Sequence, residues 1–263
     1  MPSPASPPTT GNEPAPTLDQ GLSAEVVARA PGASGELVLR RRGSVLELIV
    51  DGVFTMDTAH TETEAALATL ALDALTPRSP TPDRPAAGPP PRIMVGGLGL
   101  GYTLAALLAD PRVPADATVE VVELETTLVG WVRAGLVPAA RTLLDDPRVR
   151  VKVADLRDAV PRLTPGTLDA LLLDVDNGPG FLVHAANEAV YATGFLTTAL
   201  ATLRPGGVLA VWSADPSPEL LARMRTAAGE CTQVLLPVHR DGRRFDYAVY
   251  LSHSGDRDPR TGG

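Results

Sequence analysis

Ile93-Met94-Val95-Gly96-Gly97-Leu98-Gly99-Leu100-Gly101 decides the fold. The apolar run Ile93–Gly97 has strand length and ends in glycines. Tyr102–Ala109 behind it is rich in helix formers, so the stretch predicts a strand turning sharply into a helix. Glycine permits both the turn and the close approach of a ligand to the backbone. The spacing Gly97-x-Gly99-x-Gly101 is not a dinucleotide fingerprint, which needs a small residue where this chain has Tyr102. Nor does it carry the Lys-Ser/Thr ending of a phosphate loop. A loop this compact suits a ligand without a pyrophosphate; it also serves as a plain turn that lets strand and helix pack.

Toward the C-terminus, strand and helix patterns alternate. Thr118–Glu123, Val149–Val153, Leu168–Leu173 and Val208–Ser213 read as strands. Thr126–Ala134, Asn187–Leu203 and Ser217–Ala228 read as helices, the second closed by Arg204-Pro205-Gly206-Gly207. Val234–Val238 and Phe245–Leu251 flank Asp241-Gly242, a good hairpin turn. Repeated β–α units predict an α/β fold: a doubly wound, mostly parallel, Rossmann-like sheet of the class I methyltransferase type. The hairpin puts one antiparallel strand at or near an edge.

Toward the N-terminus, Glu36–Arg41 and Val45–Val50 alternate in polarity around Arg42-Gly43-Ser44 and run into Asp51-Gly52, a hairpin or meander. Thr58–Leu75 reads as a helix. Residues 1–17 hold six prolines and Pro77–Pro91 seven, too many for helix or central strand. The predicted organisation is a disordered tail over 1–20, a small β-unit plus helix over 21–75, and a Pro-rich linker over 76–92. A nucleoside-binding catalytic domain follows over 93–253, then a tail over 254–263.

Composition narrows the partners. With 263 residues, 44% of them hydrophobic, the chain can bury a sizeable core. Its net charge of −8 lacks the basic footprint of a nucleic-acid binder. The longest apolar runs are too short to span a bilayer, and Met1–Gln20 has neither the basic start nor the apolar stretch of a secretory signal. One cysteine, Cys231, excludes a disulfide within the chain and any multi-cysteine metal site. The four histidines form no short-spaced pair, so no metal is expected. Together these place the protein in the cytoplasm, with neither nucleic acid nor membrane as partner. Hydrolase chemistry has no support, since no Gly-x-Ser-x-Gly is present.

Three strand ends carry the nucleotide reading. Glu123, 22 residues after Gly101, ends the second strand, where an acid can accept both hydroxyls of a ribose. Glu125 better fits a solvated acid at a helix start. Asp155 follows the third strand; there an acid can accept from an adenine amino group or simply cap a helix. Ligands of this architecture bind outside those ends, so Gly97, Gly99, Gly101, Glu123 and Asp155 together point to an adenosine-type sulfonium donor. The fourth strand ends in Asp174-Val175-Asp176-Asn177-Gly178-Pro179, either good turn chemistry or a cluster that holds an ammonium. Amine alkylation needs a base, and Asp174, helped by Asp176, can accept that proton. His184, Tyr191 and Trp212 are candidate acceptor-pocket residues; core packing is the alternative for the two aromatics.

The chain resembles the polyamine aminopropyltransferases, the spermidine synthase-like proteins, over about Glu36 to Leu251. Val50-Asp51-Gly52-Val53 is similar to that family's β-domain entering its first helix, and Gly96–Gly101 to its glycine loop. Val122-Glu123-Leu124-Glu125, Asp145-Asp146-Pro147-Arg148-Val149 with Asp155, and Phe195–Gly207 resemble further family segments, and Asp174 matches the acid facing the attacking amine. The resemblance implies a small-molecule amine acceptor, decarboxylated S-adenosylmethionine as co-substrate, and a homodimer or larger assembly. Four departures stand beside it. The aspartate of the family's glycine loop, which grips the donor's ammonium, is Leu98 or Gly99 here. Phe54-Thr55 replaces a glutamine, Thr63-Glu64-Ala65 a tyrosine–histidine pair, and Asn177 stands where the loop's second aspartate falls. Losing the loop aspartate also removes a charge that would repel the carboxylate of S-adenosylmethionine. Three readings follow: aminopropyl transfer to an amine, S-adenosylmethionine-dependent methyl transfer on the same scaffold, and a catalytically lapsed nucleoside-binding protein. Tyr102 disfavours an NAD-dependent enzyme.

Overall fold

A computed structural model describes residues 24–75, 89–175, 177–180, 182, 185–240 and 242–255. The expected tail 1–20, most of the expected linker 76–92 and most of the expected tail 254–263 lie outside them, as do Asp176, His184 and Asp241.

Four strands come first: β1 (Glu25–Gly32), β2 (Gly35–Arg42), β3 (Val45–Val50) and β4 (Val53–Asp57). They form an antiparallel meander in that order. Only the middle two were legible as strands. β1 carries a bulge between Val26 and Ala28, and β4 one opposite Leu48 and Ile49, so neither keeps a simple alternation.

Helix α1 (Glu62–Ala74) starts four residues later than the sequence predicts. Asp57 Oδ1 accepts from the Ala59 and His60 amides, both at 2.9 Å, and this local turn outcompetes the helix.

Seven strands make the second sheet: β5 (Arg92–Gly96), β6 (Thr118–Glu123), β7 (Val149–Val153), β8 (Leu168–Leu173), β9 (Leu203–Ser213), β10 (Thr232–Arg240) and β11 (Arg243–His253). Their order is β10-β11-β9-β8-β5-β6-β7. β5 to β9 pair in parallel, while β11 is antiparallel to both β9 and the edge strand β10. That is the predicted mostly parallel, doubly wound sheet with its terminal hairpin at one edge. The helices are α2 (Tyr102–Ala109), α3 (Thr126–Arg133), α4 (Pro138–Arg141), α5 (Leu156–Ala159), α6 (Thr193–Thr202) and α7 (Pro218–Ala228).

Two boundaries correct the sequence reading. The expected helix 187–203 is a 3-10 turn, Ala185–Tyr191, then α6, with Ala192 extended between them. The break lets the buried Tyr191 hydroxyl donate to the Val175 carbonyl. Arg204-Pro205-Gly206-Gly207 opens β9 rather than closing a helix, and the register shift between Leu168 and Ala170 on β8 absorbs it.

Both faces of the large sheet are buried, as a parallel sheet requires. On β8, Ala170 and Leu172 enter one core while Leu171 and Leu173 enter the other. The first core also takes Leu37, Leu39 and Leu48 from the small sheet and Leu67 from α1. The N-terminal sheet is thus packed into the same core as one face of the large sheet, with α1 against α2, β8 and β9.

Candidate functional site

The strand ladder sets the site. Gly96 pairs with Val122 and Leu173, and Leu173 pairs with Val211. Gly97, Glu123, Asp174 and Trp212, each one residue further, therefore stand side by side at the carboxyl edge. Glu123 pairs with Val153, so Ala154 and Asp155 come just beyond the same edge. Ligands of open α/β sheets bind there, where the strand order reverses beside β5. One cavity runs along this edge and is lined by Gly97, Gly99, Glu123, Asp155 and Asp174, all expected site residues, and by Glu64. Gly101 is the exception: it takes φ 90° as the N-cap of α2 and is not among the residues lining the cavity.

Two glycines are required by close approach. A Cβ on Gly97, which has φ +93°, would stand 2.2 Å from the Asp174 carbonyl oxygen. One on Gly99 would meet Met56 Sδ at 2.6 Å. Gly99, one of the two positions that match the family's loop aspartate, is thus covered by a thioether from β4, and the Leu100 amide lies 3.2 Å from that sulfur.

At the β6 end of the cavity, Glu123 is buried and accepts from the Leu98 amide at 2.7 Å and the Glu125 amide at 2.8 Å. Burial raises its pKa, and those amide bonds pull the other way. Each carboxylate oxygen keeps further lone pairs, so the ribose role remains open to it. Glu125 is not a solvated helix-start acid. It is buried and reaches the turn between β1 and β2, accepting from the Ala33 and Ser34 amides at 2.7 and 2.8 Å. Asp155 caps α5, accepting from the Arg157 amide at 2.8 Å, and is forked by the Arg157 guanidinium. Of the two roles the sequence offered, the helix cap is present, and the same side chain lines the cavity.

At the other end sits an acid that sequence reasoning passed over. Glu64, in the first turn of α1, is buried, and its Oε2 accepts from Thr63 Oγ1 at 2.7 Å. Thr103 Oγ1, on α2, lies 3.2 Å from the Glu64 carbonyl oxygen and 2.5 Å from Asp174 Oδ2. Burial, then the nearby Asp174 charge, pushes the Glu64 pKa up to about 7. Burial pushes Asp174 up to about 6, the Thr103 bond opposing it. Two signals in the sequence touched it: an acid in a first helical turn, which ordinarily means a favourable helix dipole, and the place of Thr63-Glu64-Ala65 at the resembled family's tyrosine–histidine pair.

The exit loop after Asp174 is pinned. The Asn177 carbonyl accepts from the Ala214 amide at 3.1 Å, and its Nδ2 lies 3.4 Å from the Phe54 carbonyl. Tyr191 holds Val175 and is fully buried, so it supports the loop from behind and does not line the cavity. Trp212 does line it, and also packs edge-on against Tyr247, ring centroids 5.0 Å apart. The expected helper Asp176 and pocket candidate His184 lie outside the described residues.

Among the described residues, no three His, Cys, Asp or Glu side chains group so as to hold a metal, and no helix is long and apolar enough to cross a membrane.

Solved structures share this architecture. A spermidine synthase in complex with the transition-state analogue AdoDATO matches with a TM-score of 0.68 at 14% identity, over 88% of this chain and 72% of its own. Spermidine synthase from Thermotoga maritima matches with 0.69 at 14% identity, over 88% and 73%. A probable spermidine synthase from Corynebacterium glutamicum ATCC 13032 matches with 0.59 at 18% identity, over 89% and 82%. No protein-family model matches the chain, and no curated protein matches it in sequence. The fold is therefore spermidine synthase-like, a Rossmann-like sheet with a small antiparallel N-terminal sheet, carried on a divergent sequence.

Proposed function

We propose that the protein is a transferase that alkylates an amine, moving an aminopropyl group from decarboxylated S-adenosylmethionine. One observation carries the choice of donor. Five acids line the cavity, Glu64, Glu123, Glu125, Asp155 and Asp174, of which Asp155 is forked by the Arg157 guanidinium, and no Lys, Arg or His among the described residues lines it. Such a cavity favours cations and disfavours a carboxylate-bearing donor. The acid missing from the glycine loop has a counterpart in Glu64, on a different element.

In this reading Glu123 holds the ribose, Asp155 the adenine edge, and Gly97, Gly99 and Gly101 shape the loop against the nucleoside. The acceptor nitrogen attacks the aminopropyl carbon bound to the sulfonium. The N–C bond forms as the C–S bond breaks, and the sulfur keeps the electron pair, leaving 5′-methylthioadenosine. The nitrogen's surplus proton passes to Asp174. A pKa near 6 leaves that carboxylate ionised at neutral pH yet more basic than an ordinary aspartate, which suits a general base. In-line placement of the two substrates supplies much of the remaining rate. The scaffold would be a nucleoside-binding catalytic domain over 93–253 with the β-unit over 21–75 as its wall, working in the cytoplasm as a dimer or larger.

Methyl transfer draws on one specific observation, Met56 rather than an acid beside Gly99. Calorimetric titration with each donor decides. Decarboxylated S-adenosylmethionine is expected to bind at least about tenfold tighter, 1.4 kcal/mol. Tighter binding of S-adenosylmethionine overturns the aminopropyl reading in favour of the methyl one.

A further inference from the structure

We infer that Thr103 is the positioning residue of the transfer step: its hydroxyl holds Asp174 by Oδ2 before and after proton transfer, and leaves Oδ1 to take the proton from the acceptor nitrogen. The inference rests on the amine-alkylation reading above, which makes Asp174 the base.

A threonine inside a helix ordinarily turns its hydroxyl back to a carbonyl of its own helix. Thr69, Thr198 and Thr226 do so, each to the carbonyl four residues earlier. Thr103, in the first turn of α2, is 2% exposed and reaches two other elements instead. Asp174 Oδ2, just past β8, lies 2.5 Å from its Oγ1, and the Glu64 carbonyl of α1 lies 3.2 Å away. Both neighbours accept and the hydroxyl has one proton, so it goes to the nearer, carboxylate oxygen.

The other oxygen is left for chemistry. Asp174 Oδ1 has no partner among the described residues, and it is not sealed off either: the side-chain atom among them that is both sealed and unpartnered is Trp212 Nε1 alone. Asp174 lines the cavity, so Oδ1 opens there. When Oδ1 takes the proton, Oδ2 becomes the carbonyl oxygen of a neutral acid and still accepts from Thr103. The base changes charge without turning, which keeps the aim that the transfer needs. The Thr103 bond also pulls the Asp174 pKa down against burial. Glu64 on α1 is the charged group coupled to Asp174; Asp57 on β4 and Tyr102 on α2 face Glu64 in turn.

The test uses the full chain and two readouts. The first needs no substrate: carbon NMR follows through pH the carboxyl resonance that Asp174→Asn removes. Its midpoint, about 6 in wild type, should move to higher pH in Thr103→Val, which keeps the shape and removes the hydroxyl, and return in Thr103→Ser. The second is alkylation of 1,4-diaminobutane by decarboxylated S-adenosylmethionine. Thr103→Val should lower kcat about tenfold with the KM for the donor unchanged, and Thr103→Ser should restore it. In an Asp174→Asn background the valine should cost nothing further. Thr103→Ala carries both readouts where the valine variant fails to fold. A midpoint that stays in place, or a loss that persists in Asp174→Asn, overturns the inference and leaves amine alkylation standing. Equal turnover of wild type and Asp174→Asn overturns both.

Discussion

At the nucleoside end of the cavity, backbone amides hold the carboxylates: Glu123 by Leu98 and Glu125, Glu125 by Ala33 and Ser34. At the reactive end, Glu64 and Asp174 are held by threonine hydroxyls, which rotate and both donate and accept. Amides aimed at a carboxylate fix it in place, and at Glu123 burial still outweighs them and raises the pKa; a hydroxyl serves either protonation state. On the proposed function, the first end is the one that binds and the second the one where a proton moves.

Four substitutions break or sharpen that contrast. Asp174→Asn should cut alkyl transfer by about a hundredfold or more, with methylthioadenosine affinity unchanged in calorimetry. Retained turnover would show that the proton goes elsewhere.

Glu64→Gln should act on stability through pH. Native Glu64 keeps its proton up to about 7, whereas the unfolded side chain releases it near 4.5. Its contribution is therefore complete below 4.5 and is lost as pH rises through about 7. The variant should gain on wild type across that window, by about 3 kcal/mol at its top. Denaturant titrations at several pH values measure this. At the acid limb, near the Asp174 pKa of about 6, Glu64 already carries its proton, so the limb of the rate profile should stay in place. Asp57 and Tyr102, which also face Glu64 electrostatically, stay in place. A flat difference would mean Glu64 is not protonated in the native state.

Glu123→Gln should weaken methylthioadenosine about tenfold and leave the pH profile alone, because it touches only the binding end. Asp155→Asn should be mildest, about two- to threefold in the same titration, since asparagine caps a helix as well as aspartate. A tenfold loss there would mean the adenine contact outweighs the cap.

The binding end was legible because its logic is local. Glycines at a strand end and acids at the next two strand ends can be counted along the chain, and parallel pairing lines them up. Glu64 was not legible in this way. Thr61-Glu62-Thr63-Glu64 reads as an ordinary helix start, and only the packing of α1 on α2 buries one of its two acids. Trp212 was weighed as core or pocket and turns out to serve both, a result fixed by Tyr247 from another strand. β1 and β4 escaped for the converse reason: their bulges break the alternation that marks a strand.

The clasp of Glu125 on the Ala33–Ser34 turn spans 92 and 91 residues. In evolutionary terms it welds two sheets into a single heritable unit. Exchange of the first fifty residues by recombination would have to keep the Ala33–Ser34 turn in place against Glu125 or leave a buried carboxylate without those two amide donors. It would also remove Leu37, Leu48 and Val50 from the cavity wall. Descendants of this scaffold should therefore change substrate through point replacements around α1 and β9, and keep both sheets together.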